Sequence, residues 1–199
     1  MQEVIFSTKK SGKTLKLYET IFSIFNESNS SEILLIYNVE QSVLNEIFEE
    51  IINFLNQTSK YFWEVDYEKK KLSGSKKEST GKIFQMFVNL ITLDNFLKYS
   101  FSDTTTKFLP NIEYKQYIVL EDVDQFEQRD QAKFLNCATV LRNRYNCEKF
   151  YTYSFPNNID MKDFPDFPIF NFFLSLQDTR LFYHIPNRIN TGKEETLIL

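Results

Sequence analysis

Histidine, cysteine, glycine and proline are scarce in this 199-residue chain, which has one His, two Cys, four Gly and five Pro. Cys137 and Cys147 are too few to staple a secreted disulfide scaffold. They lie ten residues apart with no His or Cys beside them, so they read as buried or incidental thiols rather than zinc ligands. The single His184 leaves no scope for a His-rich metal site, and inside an apolar run it reads as a core or edge residue. So little Gly and Pro excludes collagen-like and low-complexity architectures. No uncharged apolar run reaches the ~18 residues of a membrane span. Met1-Gln2-Glu3-Val4 lacks the basic and apolar regions of a signal peptide. A reducing, intracellular setting is the expectation.

What is present is apolar and aromatic. Hydrophobic residues make up 42% and charged residues 25%, the balance of one globular core spanning residues 1–199. The 21 Phe and 11 Tyr fit AT-rich coding, which also favours Ile, Asn and Lys. The net charge of −4 excludes no partner class, because a subunit that meets DNA only within a larger assembly need not be basic itself.

Along the chain, short apolar runs alternate with helical periods. Strands are predicted near 2–6, 32–38, 116–121, 149–154 and 180–185. Leu15, Tyr18, Ile21, Phe22 and Phe25 give a helix from Lys13, and Val43 to Leu55 a second with a wide apolar stripe. Residues 83–99 read as helical, as do 129–145 and a short segment near 170–176. Between Lys69 and Lys82 six lysines face a single acid, Glu78. Residues 64–82 therefore read as a flexible, basic surface insertion, either simply solvated or touching a phosphate backbone. Strand-helix alternation predicts a three-layer α/β domain with a parallel sheet.

The informative motif is Ser7-Thr8-Lys9-Lys10-Ser11-Gly12-Lys13-Thr14, between the first strand and the first helix. It matches the phosphate-loop pattern G-x-x-x-x-G-K-[ST] except that Ser7 stands at the first glycine. Backbone N–H groups entering a helix form an anion nest. Lys13 is placed to reach the β- and γ-phosphates of ATP, and the Thr14 hydroxyl to ligate Mg²⁺. A phosphate loop needs acids at the end of another strand, and Tyr117-Ile118-Val119-Leu120-Glu121-Asp122 supplies them. Glu121 is the metal-side carboxylate and Asp122 the one that polarises water. Their order is the reverse of the usual Asp-Glu, and displacements of a bond length are costly in catalysis.

The run from Tyr117 through Val123-Asp124-Gln125-Phe126, with Arg129-Asp130 and Leu141-Arg142, resembles the second nucleotide motif of origin recognition complex ATPases, most of all their fifth-subunit type. Ile33 to Leu55 and Leu93-Asp94-Asn95-Phe96-Leu97 fit the same pattern. Phe182 to Arg188 with Leu197-Ile198-Leu199 resembles the strand, Pro turn and helix leading into that family's lid. The resemblance implies an AAA+ P-loop core with five parallel strands in 5-1-4-3-2 order and helices on both faces. It also implies ATP and Mg²⁺ as cofactors, a nuclear location, other origin recognition complex subunits as partners, and DNA contact through the assembled complex. Ser154 matches the polar first sensor or, equally, a residue capping the next turn. The expectation is a lid-less core, with the lid's second sensor arginine absent, weak ATP binding and slow or no hydrolysis.

Two other classes compete. A RecA-like or AAA-like pseudo-enzyme would keep the fold as a scaffold in recombination or repair. A small nucleoside-phosphate kinase would need an Arg-rich lid, for which Arg142 and Arg144 are the only close pair.

Overall fold

The apolar runs that lack a polar face become the inner strands of one sheet, because only a position covered on both sides accepts them. A computed structural model describes residues 2–8, 13–26, 29–100, 108–109, 113–122, 128–155, 166, 168–176, 179–185 and 195–198. In chain order they form β1 (Gln2–Thr8), α1 (Lys13–Asn26), β2 (Ser31–Tyr37), α2 (Gln41–Thr58), β3 (Phe62–Asp66), β4 (Lys71–Lys77) and β5 (Ile83–Thr92). Then come α3 (Leu93–Ser100), β6 (Lys115–Glu121), α4 (Gln128–Arg144), β7 (Glu148–Phe155), α5 (Pro168–Leu174), β8 (Thr179–Ile185) and β9 (Glu195–Ile198).

Among the described residues the sheet has nine strands in the order β3-β4-β5-β2-β6-β7-β1-β8-β9. The five strands expected from the sequence are β1, β2, β6, β7 and β8. They are parallel and lie in the expected order. The sheet is larger than expected and mixed. β5 adds a sixth parallel strand beside β2, β3 and β4 extend that side antiparallel, and β9 pairs antiparallel with β8.

Three expectations are corrected. Residues 83–92 are a strand, and the helix begins only at Leu93. The basic insertion at 64–82 is a hairpin of the sheet rather than a loop. Leu197 and Ile198, expected in a helix towards a lid, lie in β9.

Helices cover both faces. Leu17, Ile21 and Ile24 of α1 and Leu44, Phe48, Ile51, Ile52 and Leu55 of α2 pack on Ile33, Leu35, Tyr117 and Val119 of the sheet. α3, α4 and α5 bury Phe96, Phe134, Leu141 and Phe173 against Val4, Phe6, Leu34, Ile118 and Tyr151 on the other face. Of the predicted α1 stripe, Ile21 is buried and Tyr18 packs against this core, with Leu17 and Ile24 buried beside them, while the side chains of Leu15 and Phe25 lie outside the described residues. Cys137 is fully buried among the α4 residues, and burial raises its thiol pKa well above the ordinary value.

The β3–β4 hairpin is held by one close approach. Trp63, whose Nε1 donates to Ser59 Oγ at 2.8 Å, lies across Gly74. A Cβ at residue 74 would sit 2.7 Å from the indole ring, closer than any real contact. Gly74→Ala is expected to displace the indole and cost about 1–3 kcal/mol, the usual range for overpacking. Trp63 is the only tryptophan, so its emission should move to longer wavelength in that variant, while chemical denaturation reads the stability loss.

Candidate functional site

Parallel strands end on one side of the sheet, and the loops leaving their carboxyl ends are where such folds place ligands. The sequence motifs converge on this edge. Ser7 and Thr8 are the last two positions of β1, and Lys13 and Thr14 open α1. Lys9, Lys10, Ser11 and Gly12, the centre of the phosphate loop, lie outside the described residues. The first turn of the 14-residue α1 presents backbone N–H groups with no partner inside the helix, at the positive end of its dipole. Across the sheet Ser7 is level with Ser154 of β7 and His184 of β8.

Glu121 closes β6, two strands from β1 with β7 between them, or about 10 Å at ordinary strand spacing. Its register partners are Tyr37 on β2 and Thr152 on β7. Alternation puts these three on the α1–α2 side, following Tyr117 and Val119. All are buried: Glu121 is 2% exposed, Tyr37 2% and Thr152 2%. Among the described residues the Tyr37 hydroxyl and Thr152 Oγ1 have no hydrogen-bond partner. Burial, then the charge of Glu121, pushes the Tyr37 phenol well above its usual pKa. Tyr18 of α1 is raised too, by burial first and then by Glu50 of α2, to whose Oε2 its hydroxyl donates at 3.3 Å. Both phenols therefore stay protonated, and the flank of Glu121 carries neutral hydroxyls rather than a second charge.

Asp122 follows the strand and is held differently. Asn38, directly after β2, donates from Nδ2 to Asp122 Oδ1 at 3.0 Å. The backbone repeats the tie: Asn38 N–H donates to Glu121 O at 2.9 Å and Asp122 N–H to Thr152 O at 3.1 Å. Ser154, fully buried, donates its hydroxyl to Asp122 O at 3.5 Å. The ends of β2, β6 and β7 are thus one hydrogen-bonded unit around two buried carboxylates. Val123 to Phe126 and Leu199 lie outside the described residues.

Sequence reasoning named Glu121, Asp122 and Ser154 but missed Asn38, Tyr37 and Thr152. Asn38 had a readable signal: it is the first polar residue after a seven-residue buried run. Among the described residues no cluster of three or more His, Cys, Asp and Glu could hold a metal unaided.

No protein-family model and no curated protein matches the chain. Solved structures do. The ATPase domain of the large terminase of Thermus phage P74-26 is similar at a TM-score of 0.50 with 10% identity, over 98% of this chain and 72% of that one. A mutant form of the same domain gives 0.50 and 11%, over 87% of this chain and 64% of that one, so the chain spans less than two thirds of it. At such identity the likeness concerns the fold. The chain has a P-loop NTPase-like α/β fold, and no described helix is long and apolar enough to cross a membrane.

Removing the Asn38 amide leaves a buried carboxylate short of a partner. Asn38→Ala is expected to cost about 1–3 kcal/mol, and Asn38→Asp more, because two buried carboxylates would then face each other. Urea denaturation of the two variants checks both the loss and its order.

Proposed function

We propose that this chain is a nucleoside-triphosphate-binding P-loop module with little or no turnover of its own, working as an origin-recognition-type subunit of a nuclear assembly on DNA. The observation that carries the nucleotide reading is the placement of α1, opening at Lys13 directly after β1, beside the buried pair Glu121 and Asp122 on the same carboxyl edge. The subunit reading is supported by the resemblance of Tyr117 to Phe126 and Leu141-Arg142 to initiator ATPases, and ATP use by the ATPase domains that share the fold.

In this reading the N–H groups entering α1 receive the β- and γ-phosphates, and the Lys13 ammonium balances their charge. Thr14 and Glu121 would hold Mg²⁺, and the ion would supply neutralisation of the phosphate charge. Asp122 is the base candidate. Asn38 occupies one of its oxygens, and the inverted acid order moves its carboxylate by about a bond length, so orienting a water is inefficient. Phosphoryl transfer depends almost wholly on positioning and charge, and arginines supplied in trans add about 10³–10⁵ in rate. Ring neighbours would provide them. Nucleotide then acts mainly as a ligand that stabilises the fold and its interfaces.

Fluorescent ATP analogues should bind the purified chain in a Mg²⁺-dependent way, and Lys13→Ala should weaken binding at least about tenfold, a loss of ~1.4 kcal/mol. Steady-state turnover should stay below about 0.01 s⁻¹, the range of P-loop enzymes without a trans arginine. Turnover near one per second, abolished by Lys13→Ala, would show the low-activity reading to be wrong.

A further inference from the structure

Two buried hydroxyls flank one carboxylate. Tyr37 ends β2, Thr152 lies in β7, and strand register sets each of them level with Glu121 of β6. Neighbouring strands lie about 4.8 Å apart, so the three side chains stand in one row. Alternation turns the row towards α1 and α2, and all three residues are closed off from solvent. Among the described residues the Tyr37 hydroxyl and Thr152 Oγ1 nonetheless make no hydrogen bond.

That placement works against the fold. A buried hydroxyl without a partner has lost its water and gained nothing in exchange, and native folds retain few such groups. Packing does not require either oxygen, since Phe in place of Tyr37 and Val in place of Thr152 would fill nearly the same volume with no polar atom. Two such hydroxyls, one on each side of the same acid, are donors waiting for an acceptor.

Their surroundings identify the acceptor. Tyr18 of α1 is already engaged, its hydroxyl donating to Glu50 Oε2 at 3.3 Å. After burial itself, the strongest influence on the Tyr37 phenol is the charge of Glu121, ahead of Tyr18 and Glu50. A carboxylate has about four acceptor positions on two oxygens, so one oxygen can serve a ligand while the other takes donors from its neighbours. Asp122 shows the contrasting arrangement: its Asn38 donor is already in place at 3.0 Å.

We propose that Tyr37 and Thr152 are positioning residues for Glu121, closing on its carboxylate from either side when nucleotide and metal occupy the edge between α1 and β6. The inference rests on the nucleotide reading given above, in which Glu121 serves Mg²⁺. Two uncommitted hydroxyls beside a carboxylate fit an acid that has to be held while it does so. The Tyr37 and Thr152 O–H groups donate to the oxygen turned away from the ligand. Such charge-assisted bonds are short and strong, and together they fix the plane of the carboxylate. Donors that stand behind a metal-binding carboxylate set its orientation, and loss of one weakens metal binding about 10- to 100-fold. The unmet hydroxyls are a cost in the ligand-free protein that is offset in the bound one.

Titration of the full chain with mant-ATP, in Mg²⁺ and in EDTA, tests this on Tyr37→Phe and Thr152→Val. The Mg²⁺ concentration giving half-maximal binding should rise about 10- to 100-fold in Tyr37→Phe, and in the same direction in Thr152→Val. Binding in EDTA, which the nucleotide reading assigns to Lys13 and the N–H groups of α1, should stay at the wild-type level. Urea denaturation without nucleotide should find Tyr37→Phe as stable as wild type or more so, because the hydroxyl removed has no partner there. A hydroxyl with a purely structural role would give the reverse, lower stability with unaltered Mg²⁺ dependence. An unchanged Mg²⁺ midpoint, a parallel loss of binding in EDTA, or a loss of stability without ligand would each overturn the role for the residue concerned. Wild type that binds no mant-ATP at all would overturn the nucleotide reading itself and this inference with it, so the two failures are distinguishable.

Discussion

The site depends on the depth at which β6 is buried. From Tyr117 to Leu120 every residue is closed off, with β2 on one side and β7 on the other. A slip of β6 by one residue would exchange its two faces and carry Glu121 away from the α1–α2 side, where its pairing with Tyr37 and Thr152 holds it. Glu121 and Asp122 are carried to the carboxyl edge by that register. At that edge the Asn38 amide donates to the Asp122 carboxylate, while the backbone of Asp122 is tied to β7, its N–H donating to Thr152 O and its carbonyl accepting from the Ser154 hydroxyl. A buried carboxylate without a donor is very costly, so Asn38 after β2 matters to the burial of Asp122.

That arrangement separates the two acids. Glu121 lies among buried hydroxyls on the α1–α2 side, while Asp122 is tied to the Asn38 amide and, through its backbone, to β7. Packing thus distinguishes the two acids before any ligand arrives. The same ties argue for rigidity over speed, because a carboxylate already engaged by an amide is a weaker partner for water. Nucleotide retained at such an edge would serve chiefly to hold the fold together.

Much of this was legible in the sequence, for a physical reason. Strands buried on both faces read as unbroken apolar runs, which is why 32–38 and 116–121 were placed correctly. Their parallel order follows from the alternation with helices. The Ile83–Thr92 strand was misread because Phe84, Phe87, Val88 and Ile91 also fit helical spacing. The decisive pattern was the stricter alternation of buried Phe84, Met86, Val88 and Leu90 with outward Gln85, Phe87 and Asn89. The hairpin 62–77 could not be read because its strands are polar on one face and its lysines imitate a loop. Its order comes from Trp63 on Gly74, a tertiary contact with no local periodicity. Thr152 was hidden for a similar reason, since only strand register brings it to Glu121.

The central claim is that the carboxyl edge between α1 and β6 is a nucleotide site. The most direct measurement is an experimental structure of the chain with Mg²⁺ and a non-hydrolysable ATP analogue. The account predicts the triphosphate at the amino end of α1, with Lys13 on its phosphates, Glu121 facing the metal and the Asn38–Asp122 contact retained. Nucleotide bound elsewhere on the protein, or phosphates at α1 with Glu121 turned away from the metal, would contradict it.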